Sequence, residues 1–525
     1  MKNVLKYLLL ALIAVSQLFA CGGSDDEKTP ADNFDVQFTV PGSVDVTEGG
    51  ECTFAVSGGG KSPLTTDTFI LESDAGISYV CPIVNTTSDR FTVRLADGCE
   101  TGYYKVFVKR DARKKSFGRI YINIVEDIDF KPDAGTTVYG IVSSAGVGVE
   151  NVVVSDGAEV TVTNEKGIYQ LKSAKKWGYV FISVPSGYEV PSVGVLPQFH
   201  RALKNSADVV ERADFKLEKV DGQDSYKIFM LGDMHLANRT GDLGQFAQFT
   251  SDLTDYMTRH KGEKMYALTL GDMTWDLYWY SNSYYFPQYL NTINSQIKNL
   301  QIFHTMGNHD NDFQTRSDYD AAVKYVDQIC PTYYSFNIGK VHYVVMDDID
   351  CSSYDGTESR NYVKSLSAEQ LDWLAKDLSH VAKTTPVVVA MHAQVFYPTT
   401  SGFKIDHDQV NTLRLFDILD GYTVRFVTGH THKLFNVTPD APIVDGHNFR
   451  EYNSGSVCAS WWWSGNLTPG IHIGTDGTPG GYGIWDVTGT DFQCLYKSTG
   501  WPEEYQFRSY DLNNVHFSMA DVPLM

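Results

Sequence analysis

Ile302-Phe303-His304-Thr305-Met306-Gly307-Asn308-His309-Asp310 reads as a short buried strand that stops at a glycine and then delivers an amide, an imidazole and a carboxylate. Four other apolar runs end the same way. Ile228 to Leu231 leads into Gly232-Asp233-Met234-His235, Met265 to Leu270 into Gly271-Asp272, Val387 to Met391 into His392, and Val424 to Thr428 into Gly429-His430-Thr431-His432. A sixth strand, Val341 to Met346, has no such ending. Helical stretches lie between the strands. One is marked by Ser367-Ala368-Glu369-Gln370, an N-cap with its reciprocal glutamine, ahead of Leu371, Leu374 and Leu378 at helical spacing. Strands alternating with helices predict an α/β domain. In such a domain the C-terminal ends of neighbouring strands converge on one crevice, so Asp233 and His432 can share a centre despite their distance in sequence. Mixed imidazole and oxygen donors suit Zn, Mn or Fe better than Ca or Mg.

Outward from this region the pattern changes. Residues 35–127 alternate polar and apolar positions in short runs such as Val36-Gln37-Phe38-Thr39-Val40, which predicts an immunoglobulin-like β-sandwich. Residues 128–222 predict a second sandwich, and Val160-Thr161-Val162-Thr163-Asn164-Glu165-Lys166-Gly167 within it resembles carboxypeptidase-regulatory-like units. Neither shows a polar cluster suited to catalysis, so both read as spacer or docking modules. The α/β domain is expected over 223–440 and a small aromatic, glycine-rich β-domain over 441–525.

Residues 1–21 have the layout of a secretory signal, with Lys2 and Lys6 before an apolar run too short to span a bilayer. Leu18-Phe19-Ala20-Cys21 resembles a bacterial lipobox, which implies lipidation at Cys21. Residues 22–34 begin Gly22-Gly23-Ser24-Asp25-Asp26-Glu27, a flexible acidic tether. The expectation is a secreted lipoprotein at the outer membrane or cell surface. The 525-residue chain carries 43 Lys and Arg against 64 Asp and Glu, a net charge of −21, which argues against bulk nucleic-acid binding. Seven cysteines besides Cys21, an odd number, imply no disulfide framework, although Cys330 with Cys351 or Cys458 with Cys494 could pair.

The ordered set Asp233-x-His235, Gly271-Asp272, Gly307-Asn308-His309-Asp310, His392 and Gly429-His430-x-His432 resembles the calcineurin-like metallophosphoesterases, in a secreted bacterial branch with flanking domains. The resemblance implies a double sheet sandwiched by helices (αββα) and a site for two divalent metal ions. It makes Asp233, His235 and His432 ligands of one metal, Asn308, His392 and His430 ligands of the other, and Asp272 the bridge. A shared anion offsets the repulsion of two cations about 3.5–4 Å apart. The implied reaction is attack of a metal-bridging hydroxide on a small phosphate ester. His309 would stabilise the transition state or protonate the leaving oxygen, with Asp310 to orient it. The other nine histidines read as structural.

Two departures from relatives bear on the substrate. Trp275 stands where the ferric-tyrosinate phosphatases place a Tyr, which argues against a purple acid phosphatase. Gly271-Asp272-Met273-Thr274-Trp275-Asp276-Leu277 displaces the second carboxylate of the protein-phosphatase motif and lacks its phosphate-gripping Arg, which tilts the reading from monoesters toward diesters. Trp461, Trp462, Trp463 and Tyr482 are the expected substrate wall. The rival reading is a surface binding, adhesion or glycan-processing accessory protein on this scaffold, with a surface protein complex as partner.

Overall fold

The computed structural model describes residues 34–57, 59–125, 130–239, 241–438, 449–459 and 472–506. The chain divides into two compact units, Met1–Ile128 and Asp129–Met525. In the first, the strands run in the order Ser43–Thr47, Arg113–Val125, Gly102–Arg110, Thr68–Ser73, Ser78–Thr86, Arg90–Arg94, Glu51–Ala55. The first half of Ser78–Thr86 pairs with Thr68–Ser73. After a register shift between Ile83 and Asn85, its second half pairs with Arg90–Arg94, so one strand passes between two sheets. Alternation sets the faces: Glu51–Ala55 buries Cys52 and Phe54 and exposes Glu51, Thr53 and Ala55. Phe38, Phe54, Phe69 and Phe91 meet in the interior.

The second unit opens with the second sandwich. One of its sheets runs Val160–Val162, Val153–Ser155, Tyr179–Ile182, His200–Ala202, and the other centres on Val138–Ser144. This sandwich is not a free spacer. Its apolar residues are continuous with those of the α/β region in one hydrophobic core. Phe199 lies 4.5 Å from Tyr334, Phe181 6.0 Å from Trp373, and the Asn337 N–H donates to the Val184 carbonyl at 2.8 Å.

The α/β region is two stacked sheets between helices. One sheet runs Gln301–Phe303, Lys264–Thr269, Ser225–Leu231, Gly481–Thr488, Asp491–Ser498. The other runs Tyr334–Ile338, Val341–Val345, Val387–Ala390, Val424–Thr428, Arg450–Asn453, Phe435–Val437. The parallel strands are buried on both faces, as Val341–Val345 and Val387–Ala390 illustrate, which is why they read as unbroken apolar runs. Phe303 stacks on Phe336 at 3.7 Å and the Tyr226 and Tyr343 hydroxyls meet at 2.7 Å, joining the two sheets. Asp242–Arg259 covers the outside of the first sheet through Phe246, Phe249, Leu253 and Tyr256. Ala368–Leu378 begins as expected, with the Ser367 hydroxyl accepting from the Gln370 N–H.

The C-terminal strands are present, and they belong to these sheets rather than to a separate layer. Gly481–Thr488 pairs antiparallel with Ser225–Leu231, and Arg450–Asn453 pairs parallel with Val424–Thr428. The seven cysteines from Cys52 to Cys494 are all free thiols. Among the described residues no helix is long and apolar enough to cross a membrane. Cys21 and Trp461 to Trp463 lie outside the described residues.

Candidate metal centre

Each donor sits just past a strand end. Asp233 and His235 follow Ser225–Leu231, Asp272 follows Lys264–Thr269, His392 follows Val387–Ala390, and His430 and His432 follow Val424–Thr428. Asn308, His309 and Asp310 form a single 3-10 turn after Gln301–Phe303. Asp233, His235, Asp272, His430 and His432 all have φ between 49° and 66°. That left-handed region is unfavourable for side-chain-bearing residues, and its concentration at one crevice marks strain held in place by the surrounding fold.

Of the four glycines in these motifs, Gly271 is left-handed, with φ 86°. Space is what constrains two others. A Cβ on Gly307 would stand 2.3 Å from Asp272 Oδ1, and one on Gly429 would stand 2.6 Å from Asp233 Oδ2. Gly232 has no neighbour closer than 3.7 Å, so no such need exists there.

The donors converge from both sheets. His235 Nε2 and His432 Nε2 face each other at 3.0 Å, with Asp233 Oδ1 3.4 Å from His432 Nε2. His392 Nε2 lies 3.0 Å from Asn308 Oδ1 and 3.1 Å from His430 Nδ1. Asp272 stands between these groups: its Oδ2 is 3.5 Å from His235 Nε2 and 3.3 Å from His392 Nε2. Its Oδ1 accepts the His309 backbone N–H at 2.7 Å, which fixes the carboxylate in that position.

Tautomers follow from outer contacts. His392 Nδ1 donates to the Leu270 carbonyl and His432 Nδ1 to the Ala459 carbonyl, both at 2.7 Å, so Nε2 is the nitrogen each ring turns inward, the one a cation would take in place of a proton. Inward-facing imidazole nitrogens and carboxylate oxygens at this spacing fit divalent cations. Asp272 is shared by two three-residue groups able to hold a metal, one with His392 and His430 and one with His235 and His309.

Electrostatics follow from burial and charge. Burial holds His235 and His430 well below the ordinary imidazole range. Burial presses His392 the same way, but Asp272 and Asp233 outweigh it and raise it to about 10. For Asp272, burial is outweighed by His392, His309 and His235, which hold the carboxyl well below its usual range.

Two expectations are corrected. Asp310 does not orient His309. Its carboxylate accepts from the N–H groups of Thr274, Gly307 and Met273 and from the Thr274 hydroxyl, at 3.0 to 3.3 Å, tying two loops together. The partner of His309 is Asp276, whose Oδ1 lies 2.6 Å from His309 Nδ1. Tyr482 is no substrate wall: it is fully buried, packs edge-on to Phe249, and donates to Asp252 at 3.0 Å beneath the helix Asp242–Arg259.

Other residues of the site lie outside the expected donor set. Trp275 packs against His235 and His309, and Arg239 lies 4.1 Å over its ring. Asp348 receives the backbone N–H groups of His392 and Ala393 and pairs with His407 Nε2 at 2.8 Å. Asp348 follows the one strand without a motif, so strand-end placement alone would have nominated it. Arg360 and Tyr362 line the cavity of about 250 Å³ over Asp272, His309 and the histidines.

A double sheet between helices gathers imidazole and carboxylate donors at its strand ends, an arrangement able to hold divalent metal ions. Residues 226–434 match the calcineurin-like phosphoesterase family, 136–220 the N terminal of calcineurin-like phosphoesterase, and 451–521 the C terminal of calcineurin-like phosphoesterase. The chain belongs to the calcineurin-like phosphoesterases. No curated protein matches it. Among solved structures, a DUF4784 family protein from Bacteroides caccae is 9% identical over 38% of this chain and 47% of its own, with a TM-score of 0.15. This chain thus spans under half of that protein. DIP-gamma IG1+IG2 is 12% identical over 34% of this chain and 98% of its own, with a TM-score of 0.13. Neither likeness bears on the site.

Proposed function

We propose that this phosphoesterase uses two divalent cations, Mn, Zn or Fe, to hydrolyse a small phosphate ester. Asp233, His235 and His432 would hold one cation, Asn308, His392 and His430 the other, and Asp272 both. The observation that carries the reading is Asp272, with one carboxylate oxygen committed to the His309 N–H and the other within 3.5 Å of an imidazole from each group. Bound cations supply Lewis-acid activation of water and neutralise the phosphoryl oxygens.

The chain's own groups do the rest. Asp276 holds His309 through Nδ1, leaving Nε2 to deliver a proton to the leaving oxygen. Trp275 packs beside His235 and His309 and limits water on that side. On the motif alone, without its phosphate-gripping Arg, a diester is the favoured ester.

The deciding experiment is turnover of matched aryl phosphate mono- and diesters by the Mn-loaded protein, with Asp272→Asn as control. Activity in the wild type and none in the control is the expected result; equal activity in both would refute the shared-carboxylate reading. The N-terminus extends the proposal to an outer-membrane lipoprotein anchored at Cys21. Palmitate labelling of the wild type but not of Cys21→Ser tests this.

A further inference from the structure

We propose that the arm running from Ile349–Asp350 to Val363–Lys364 grips the substrate phosphate through Arg360 and Tyr362, supplying the guanidinium that the metal motif lacks. This rests on the phosphoesterase reading and adds to it the ester the site accepts. Arg360, in the turn before Val363–Lys364, and Tyr362, next to that strand, both line the cavity over Asp272 and His309.

Arg360 is the one Arg or Lys among the described residues lining that cavity. Four other arginines are committed: Arg110 to Asp67, Arg212 to Asp214, Arg414 to Asp372, and Arg239 to the Trp275 face. Among the described residues no carboxylate pairs with Arg360, and the Tyr362 hydroxyl has no hydrogen-bond partner. A guanidinium left without an anion beside a metal-ligand cluster suits the non-bridging oxygens of a phosphate, which it can take two at a time.

The arm is built to hold this position. Ile349–Asp350 pairs antiparallel with Val363–Lys364 and closes its base. Ile349, Cys351 and Tyr354 form a small core with Ala321 and Ala393, against which Tyr362 packs. Tyr354 donates to the Ser359 carbonyl at 3.1 Å and Asn361 to the Ser353 carbonyl at 2.7 Å, bracing the tip. Pre-positioning of this kind lowers the entropy cost of ordering a long side chain on the ligand. A monoester presents one more negative charge than a diester, so the arm moves the preference toward monoesters.

The test is calorimetric titration of inorganic phosphate into the Mn-loaded full chain, as wild type, Arg360→Ala, Arg360→Lys and Tyr362→Phe. Metal content and aryl-ester turnover are measured on the same samples. With equal metal in all four, phosphate affinity should fall about tenfold or more in Arg360→Ala, recover in part in Arg360→Lys, and fall less in Tyr362→Phe. Monoester turnover should fall more than diester turnover in Arg360→Ala. Phosphate affinity within twofold of wild type in Arg360→Ala overturns the clamp while wild-type turnover leaves the phosphoesterase reading standing. Metal-loaded wild type that neither binds phosphate nor turns over either ester overturns both.

Discussion

Two cavities of the second unit differ in size and in kind. The larger, about 920 Å³, lies where the second sandwich meets the α/β region and is walled by Trp177, Tyr319, Tyr333 and the helix Asp318–Gln328. The smaller, about 250 Å³, is the one over the imidazoles and Asp272. Volume favours the first; chemistry favours the second. Donors from both sheets aim at the small cavity, on backbone held in left-handed conformations. The walls of the large one instead bond across the seam, as where Tyr333 donates to the Gly157 carbonyl at 2.7 Å. Convergence of donors, rather than room, identifies the reacting site.

Substitutions can break that contrast. The largest effect is expected from Asp272→Asn, which should lower kcat about a thousandfold or more in steady-state aryl-ester assays, because it removes the anion facing both donor groups. Asp276→Asn should cost about 10- to 100-fold in kcat with metal content unchanged, since it releases His309 rather than a metal ligand. Asp310→Asn should act differently, lowering the melting temperature through the loop contacts that its carboxylate makes.

The large cavity offers a pH test. His200 lines it, and burial depresses its pKa to about 3 from an ordinary 6.5. The folded chain keeps this imidazole neutral while the unfolded chain takes up a proton below about 6.5, so stability is retained above that pH and lost as pH falls toward 3. Melting curves at pH 7 and pH 5 should diverge in the wild type, and the gap should narrow in His200→Phe. The smallest effect is expected from Tyr319→Ala, at a side chain 48% exposed on the rim of the large cavity. Stability should change by about 0.5 kcal/mol or less and turnover should stay within twofold. A tenfold loss of turnover there would mean that the seam takes part in the reaction.

What could be read from the chain follows from how its information is written. Strand-end motifs such as Gly307-Asn308-His309-Asp310 are local, so the α/β fold and the gathering of Asp233, Asp272, His392 and His432 were legible from order alone. Asp276 was visible only as a displaced carboxylate; a 3-10 turn at Asp276–Tyr278 brings it to His309, and no spacing rule conveys that. Arg360 reaches the cavity through an arm whose sequence is polar and turn-rich, which reads as ordinary loop. Tyr482 misled because aromatic residues beside glycines suit a cleft as well as a strand, and the pairing of Gly481–Thr488 with Ser225–Leu231 is a long-range fact.

That pairing also governs how the protein can be made. Ser225–Leu231 lies between Lys264–Thr269, close by in sequence, and Gly481–Thr488, whose Thr488 is 263 residues from Ser225. Contacts this distant raise contact order and slow folding. While the chain is being synthesised, the first sheet carries an open edge until its far partner emerges, and a fragment stopped before residue 481 would keep that edge exposed to other chains. Premature termination is therefore expected to give aggregates rather than a smaller working enzyme.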